Sequence, residues 1–137
     1  GPYPRRLRDM IEAGLVDWVG LDIKALPEHY GQVAGRANAA TKAWDSLEVL
    51  IEVADRGGPD FEVRTTVVPG DVTADDAVEV ARRVHAAGAR VYALQQARSE
   101  GTSGEFDVVA PGWDGMCERM AERIEALGWD RFTYRPA

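Results

Sequence analysis

Apolar side chains recur along this chain in two alternating rhythms, one of helical period and one of short, dense runs. Leu7, Met10 and Ile11 lie at helical spacing behind Pro4 with Gly14 as a stop, which predicts a helix over residues 4–13. The mostly apolar run at 16–24 predicts a buried strand, and Pro27, Gly31 and Gly35 mark residues 26–35 as a loop. Trp44, Leu47, Leu50 and Ile51 predict a second helix from about Thr41 to Arg56, closed by Gly57-Gly58-Pro59. The β-branched run at 61–68, ended by Pro69-Gly70, predicts a second strand. Thr73 with Asp76 resembles a capping box with Asp in place of Glu, opening a helix that carries Val78, Ala81 and Val84 and ends near Gly88. A third strand is predicted at 90–96, a loop around Gly101 and Gly104, a last helix at 113–127 and a short terminal strand at 132–134.

The order is αβ-αβ-αβ-α, which implies parallel strands joined by right-handed helical crossovers. A chain of 137 residues is one domain or a piece of one. About three parallel strands with flanking helices are expected, and the opening helix follows no strand. That leaves two architectures: a small α/β domain, or a (β/α) barrel lacking its first units. The chain begins Gly1-Pro2, which reads as a cloning remnant or as entry into a longer protein midway.

Charge narrows the partners. The net charge of −7 arises wholly from residues 41–137, which carry 11 basic and 18 acidic side chains, against five of each in residues 1–40. An acidic chain with no sustained basic stripe argues against nucleic acid as partner. No run approaches the roughly 20 apolar residues of a membrane span, and no secretion signal opens the chain, so a cytoplasmic protein is expected. The single cysteine, Cys117, sits at helical spacing among Met116, Met120 and Ile124 and reads as a buried thiol rather than a ligand or nucleophile.

Chemistry is sought at the carboxyl ends of the strands, where loops and helix N-termini converge in parallel sheets and barrels. Asp22 and Lys24 are two apart and share one face of their strand, while Leu21 and Ile23 face the other way. A charged pair inside an apolar run is costly unless the charges find partners. Either the two form a structural ion pair, or Asp22 accepts hydrogen bonds from a ligand hydroxyl or amine while Lys24 meets a carboxylate. Lys24 is one of two lysines in a chain with 14 arginines. Arg64 and Thr66 share a face of the second strand; Arg64 either pairs with Asp22 or Glu62 or meets a carboxylate ligand. Gln95 and Gln96 end the third strand. His85 reads as a surface or half-buried helix residue, and His29, in the loop after the first strand, has no orienting partner visible in the sequence.

The segments Leu21-Asp22-Ile23-Lys24, Glu62-Val63-Arg64-Thr65-Thr66-Val67-Val68 and Tyr92-Ala93-Leu94-Gln95, in that order and spacing, resemble the radical S-adenosylmethionine activating enzymes. The likeness is to the group that activates anaerobic ribonucleoside-triphosphate reductase, with pyruvate formate-lyase activating enzyme as a relative, and it runs from about residue 1 to 104. It implies that residues 1–137 are the C-terminal half of a partial (β/α)6 barrel. It also implies that Asp22, Lys24, Arg64, Thr66 and Gln95 contact S-adenosyl-L-methionine. Relatives often place a histidine where Gln95 stands. Members hold a [4Fe-4S] cluster through a CxxxCxxC loop and cleave the cofactor reductively to a 5′-deoxyadenosyl radical, which takes a hydrogen atom from a glycine of the partner. The implied partners are a glycyl-radical enzyme, namely the anaerobic reductase, and a flavodoxin-type reductant. This chain carries neither the cysteine motif nor the family's Gly-Gly-Glu-Pro-type motif. Roughly three strand–helix units, about 90 residues, would precede it, and no metal ligand or catalytic residue is assigned within it. Two other readings stand beside this one: a Schiff-base barrel lyase using Lys24, and a non-catalytic remnant whose strand edge pairs with another chain.

Overall fold

In a computed structural model, residues 18–29, 37–97 and 112–137 are described, together with Arg5 and Asp9, both helical. The rest of the helix predicted at 4–13, the start of the strand predicted at 16–24, part of the loop at 26–35 and the Gly101–Gly104 loop lie outside the described residues. Strand β1 spans Trp18–Asp22 and is followed by a 3-10 turn at Pro27–His29. Helix α1 (Ala37–Asp55), strand β2 (Asp60–Val67), helix α2 (Val72–Ala87), strand β3 (Val91–Gln96), helix α3 (Trp113–Glu125) and strand β4 (Arg131–Arg135) complete the order.

Three expectations are corrected. The terminal segment is a full strand, so the sheet has four strands rather than about three. Helix α1 begins at Ala37, four residues ahead of the expected Thr41. The cap of α2 is Asp71, not a Thr73–Asp76 box. Asp71 has extended backbone, and its carboxylate accepts the Thr73 N–H at 3.3 Å and the Thr73 hydroxyl at 3.0 Å. Asp76 is thereby released for a different task. The helix ends as the sequence indicates, on Gly88 at φ 118°, where a side chain would be strained.

All neighbouring strands pair in parallel, in the unreversed order β1-β2-β3-β4. Right-handed crossovers in one direction put every connection on the same side of a sheet. The core obeys this. Leu21 and Ile23, Val63 and Val67, and Tyr92 and Leu94 alternate onto one face, against Leu47 and Leu50 of α1, Val80 and Val84 of α2, and Cys117 and Ile124 of α3. Each such large side chain, removed from water, contributes about 2 kcal/mol. Val91 and Ala93, equally buried, face the other way and stay outside that core. No helix among the described residues is long and apolar enough to cross a membrane.

A chain of polar groups runs through the core. The fully buried Tyr92 hydroxyl meets the Thr65 hydroxyl, which donates to the Ile23 carbonyl at 2.9 Å. Thr65 and Tyr92 stand on β2 and β3 and Ile23 directly follows β1, so the network ties the end of β1 to β2 and β3 from the helix side. Burial pushes the Tyr92 phenol far above its ordinary range. Tyr92→Phe leaves the Thr65 bond to Ile23 intact, so urea denaturation is expected to show a loss of about 1 kcal/mol with an unchanged denaturant slope. A loss near zero would mean that the hydroxyl contributes nothing to the link.

Candidate functional site

The face of the sheet opposite the described helices carries the chain's unusual charges. Its rows follow from the strand register. Gly20, Glu62, Val91 and Arg131 form one row; Asp22, Arg64, Ala93 and Thr133 form the next toward the carboxyl ends. Thr66, Gln95 and Arg135 form the row above. β1 ends at Asp22 rather than at residue 24, and Lys24 lies exposed two residues beyond it. Four of the five residues singled out from the sequence thus share one face, in two adjacent rows. This happens because side chains alternate along each strand and the strands are aligned without slippage.

Arg64 is the centre of this face. Its Nε lies 3.4 Å from Asp22 Oδ1 and 4.0 Å from Glu62 Oε1. Both pairings considered from the sequence are present. Neither has hydrogen-bond geometry: the buried Nε–H finds no acceptor among the described residues. Its charge is answered while its donor is not, a state that costs about 1–3 kcal/mol when the group is kept from water. Room for the guanidinium comes from Gly20, where an added Cβ would sit 2.2 Å from Nη2 and 2.6 Å from Cζ. A glycine inside a strand signals this kind of close approach.

Glu62 has a better partner in Arg135, which sequence reading missed. The guanidinium donates to both carboxylate oxygens, at 3.2 and 3.3 Å, from β4 to β2 across β3. The intervening residue on that face is Ala93, wholly buried, whose small side chain lets the pair pass over it. Glu62 is itself buried, with its side chain 8% exposed, so the bidentate geometry is what makes its charge tolerable. Near the amino ends, Arg131 of β4 lies over the ring of Trp18 of β1, with Cζ 5.4 Å from the ring centre. The two edge strands would be about 14 Å apart in a flat sheet, so both side chains lean inward over the face. At the other end, Thr66 donates to Gln95 Oε1 at 3.3 Å. Asp22, with its side chain 66% exposed, is the acceptor most open to a ligand.

What this arrangement can do is recognise a zwitterion or polyol. Arg64 and Lys24 offer donors to a carboxylate, Asp22 offers acceptors to an ammonium or hydroxyl, and Thr66 and Gln95 offer neutral hydrogen bonds. No group of three His, Cys, Asp or Glu placed to bind a metal occurs among the described residues. Cys117 lies buried in the helix-side core, where burial raises its pKa and keeps it a thiol. No protein-family model matches the chain, and no curated protein matches it significantly.

One histidine falls as expected and the other does not. His85 is a half-buried helix residue with its ring against Trp129 and Nε2 3.2 Å from the Gly128 carbonyl. His29, which had no visible partner in the sequence, has one in Asp76. Its Nδ1 lies 2.9 Å from Oδ2 and 3.1 Å from Oδ1 of that carboxylate, 47 residues further on. No local signal could have revealed this.

Two substitutions test the face. Arg135→Ala strands a buried carboxylate and is expected to cost about 1–3 kcal/mol, whereas Arg135→Ala combined with Glu62→Gln recovers most of that loss. Equal losses in the single and double variants, measured by chemical denaturation, would mean that the pair carries no coupling. Gly20→Ala is expected to displace Arg64 from its bed, seen as large shifts of the Arg64 Nε–H resonance with the helix-side core unchanged; an unmoved resonance would contradict the packing described.

Proposed function

We propose that this chain is the C-terminal half of a radical S-adenosylmethionine barrel domain and supplies one wall of its S-adenosylmethionine pocket. The enzyme of which it forms part generates a glycyl radical on an anaerobic ribonucleotide reductase. One observation carries the proposal: Asp22, Arg64, Thr66 and Gln95, the residues at which the sequence resembles that family, lie together at the carboxyl-end half of a one-sided parallel sheet. Strands in unreversed order with all crossovers on one side are the winding of a (β/α) barrel, and doubly wound folds reverse their order instead. The polar face then corresponds to a barrel interior, and the same reading places the protein in the cytoplasm.

In this reading Arg64 and Lys24 hold the carboxylate of the cofactor's amino-acid portion. Asp22 accepts from its ammonium or from the ribose hydroxyls, and Thr66 with Gln95 hydrogen-bonds the remainder. The orphaned Arg64 Nε–H is the donor that such a carboxylate would satisfy. S-Adenosylmethionine supplies a reducible sulfonium; the residues of this chain bind and orient it. The four-iron cluster does not fit this chain, whose one cysteine is buried. The reductase and a flavodoxin-type reductant are the partners this reading carries with it.

Isothermal titration of the whole chain with S-adenosylmethionine tests the proposal. Binding is expected, with Arg64→Ala and Asp22→Asn each weakening it about tenfold, the loss of one charge-assisted hydrogen bond. Methionine and adenosine alone should bind more weakly than the intact cofactor. Absence of binding, or binding indifferent to both substitutions, would overturn the reading. Irreversible labelling of Lys24 by borohydride with small keto acids would favour the Schiff-base lyase instead.

A further inference from the structure

The backbone on either side of Lys24 is pinned from three directions. The Ile23 carbonyl accepts from Thr65 of β2 at 2.9 Å, the Ala25 carbonyl from Trp44 Nε1 of α1 at 3.3 Å, and the Leu26 N–H donates to Asp76 Oδ2 of α2 at 3.0 Å. Ala25 and Leu26 are themselves buried. Asp76 then grips the same turn a second time through His29 Nδ1, while Glu28 and Arg83 form a bidentate pair at 3.2 and 3.1 Å alongside. The Asp76 side chain is 7% exposed, yet it sits in the first turns of α2 with no capping duty. A buried carboxylate is retained at such a place because its acceptors are used, and here both uses fall on the turn that follows Lys24.

We propose that Asp76, acting through Leu26 and His29, is a positioning residue for Lys24. The lysine ammonium rides on a flexible four-carbon stem, so its reach toward a ligand carboxylate is set by where its backbone is held. Asp76 fixes that backbone from α2, the helix that directly follows the Arg64–Thr66 strand, and so keeps the Lys24 and Arg64 donors in register. The inference rests on the reading of Lys24 as a contact to the S-adenosylmethionine carboxylate.

A double-mutant cycle on the full chain tests it, with S-adenosylmethionine affinity and amide hydrogen exchange as readouts. Asp76→Ala is expected to weaken binding three- to tenfold in the parent background and to add nothing in Lys24→Ala. Asp76→Asn, whose amide oxygen still accepts the Leu26 N–H, should restore most of the affinity. Exchange of the 24–29 amides should quicken at least tenfold in Asp76→Ala, with β2 and β3 amides unchanged. If Asp76→Ala does not fold, His29→Ala, which leaves the Leu26 bond in place, is expected to give a smaller loss with the same dependence on Lys24. Parent binding that Asp76→Ala leaves unchanged, or a loss of equal size with and without Lys24, would overturn the positioning role while leaving the proposed function standing. No binding by the parent chain would bring down both.

Discussion

A parallel sheet whose described helices all lie on one side has to make its second face tolerable, and this constraint organises the described residues. Parallel sheets are ordinarily buried on both faces, and their strands are correspondingly apolar. Here the second face is closed over by side chains: the Glu62–Arg135 pair crosses β3 above Ala93, Arg64 lies on Gly20, and Arg131 reaches Trp18. Each of these spans at least one strand interval, so they hold the strands in register from the polar side, as Tyr92, Thr65 and Ile23 hold them from the helix side. One buried donor on this face, the Arg64 Nε–H, is left without an acceptor among the described residues.

The rim at the carboxyl ends is stiffened separately. Thr73 receives the Val68 N–H at 3.0 Å and is itself held by Asp71, which fixes the turn after β2. The turn after β1 is fixed by Asp76, Trp44 and the Glu28–Arg83 pair. Arg83 holds the Glu28 carboxyl below its usual range through their hydrogen bonds, so the contribution of that exposed pair is present above the ordinary carboxylate range and fades on acidification. Both turns border Lys24 or Thr66. Order is concentrated where the proposed ligand would meet the sheet.

Most of this fold was legible along the chain because its strands and helices differ in apolar rhythm, and the charges within the first two strands stood out against that rhythm. Spacing alone put Arg64 and Thr66 on one face of their strand; their alignment with Asp22 and with Gln95 came only with the strand register. β4 was understated because Arg131, Thr133 and Arg135 interrupt its apolar pattern, and those interruptions are the residues that serve the open face. The early start of α1 at Ala37 has no cap or apolar period to announce it. Asp76 was read as a helix cap from its spacing to Thr73, since local sequence cannot report a carboxylate drawn to a turn 47 residues away. Contacts of such separation, like Arg135 with Glu62, become visible only once the strands are stacked.

We propose that S-adenosylmethionine binds on the sheet face opposite the described helices, and not on the helix side or the strand edges. Ultraviolet cross-linking of the radiolabelled cofactor to the whole chain, followed by peptide mapping, addresses it most directly. Label confined to peptides carrying Asp22 and Lys24, Arg64 and Thr66, or Gln95 is the result this account predicts. Label on α1, α2 or α3, or label that excess unlabelled cofactor does not displace, would contradict it.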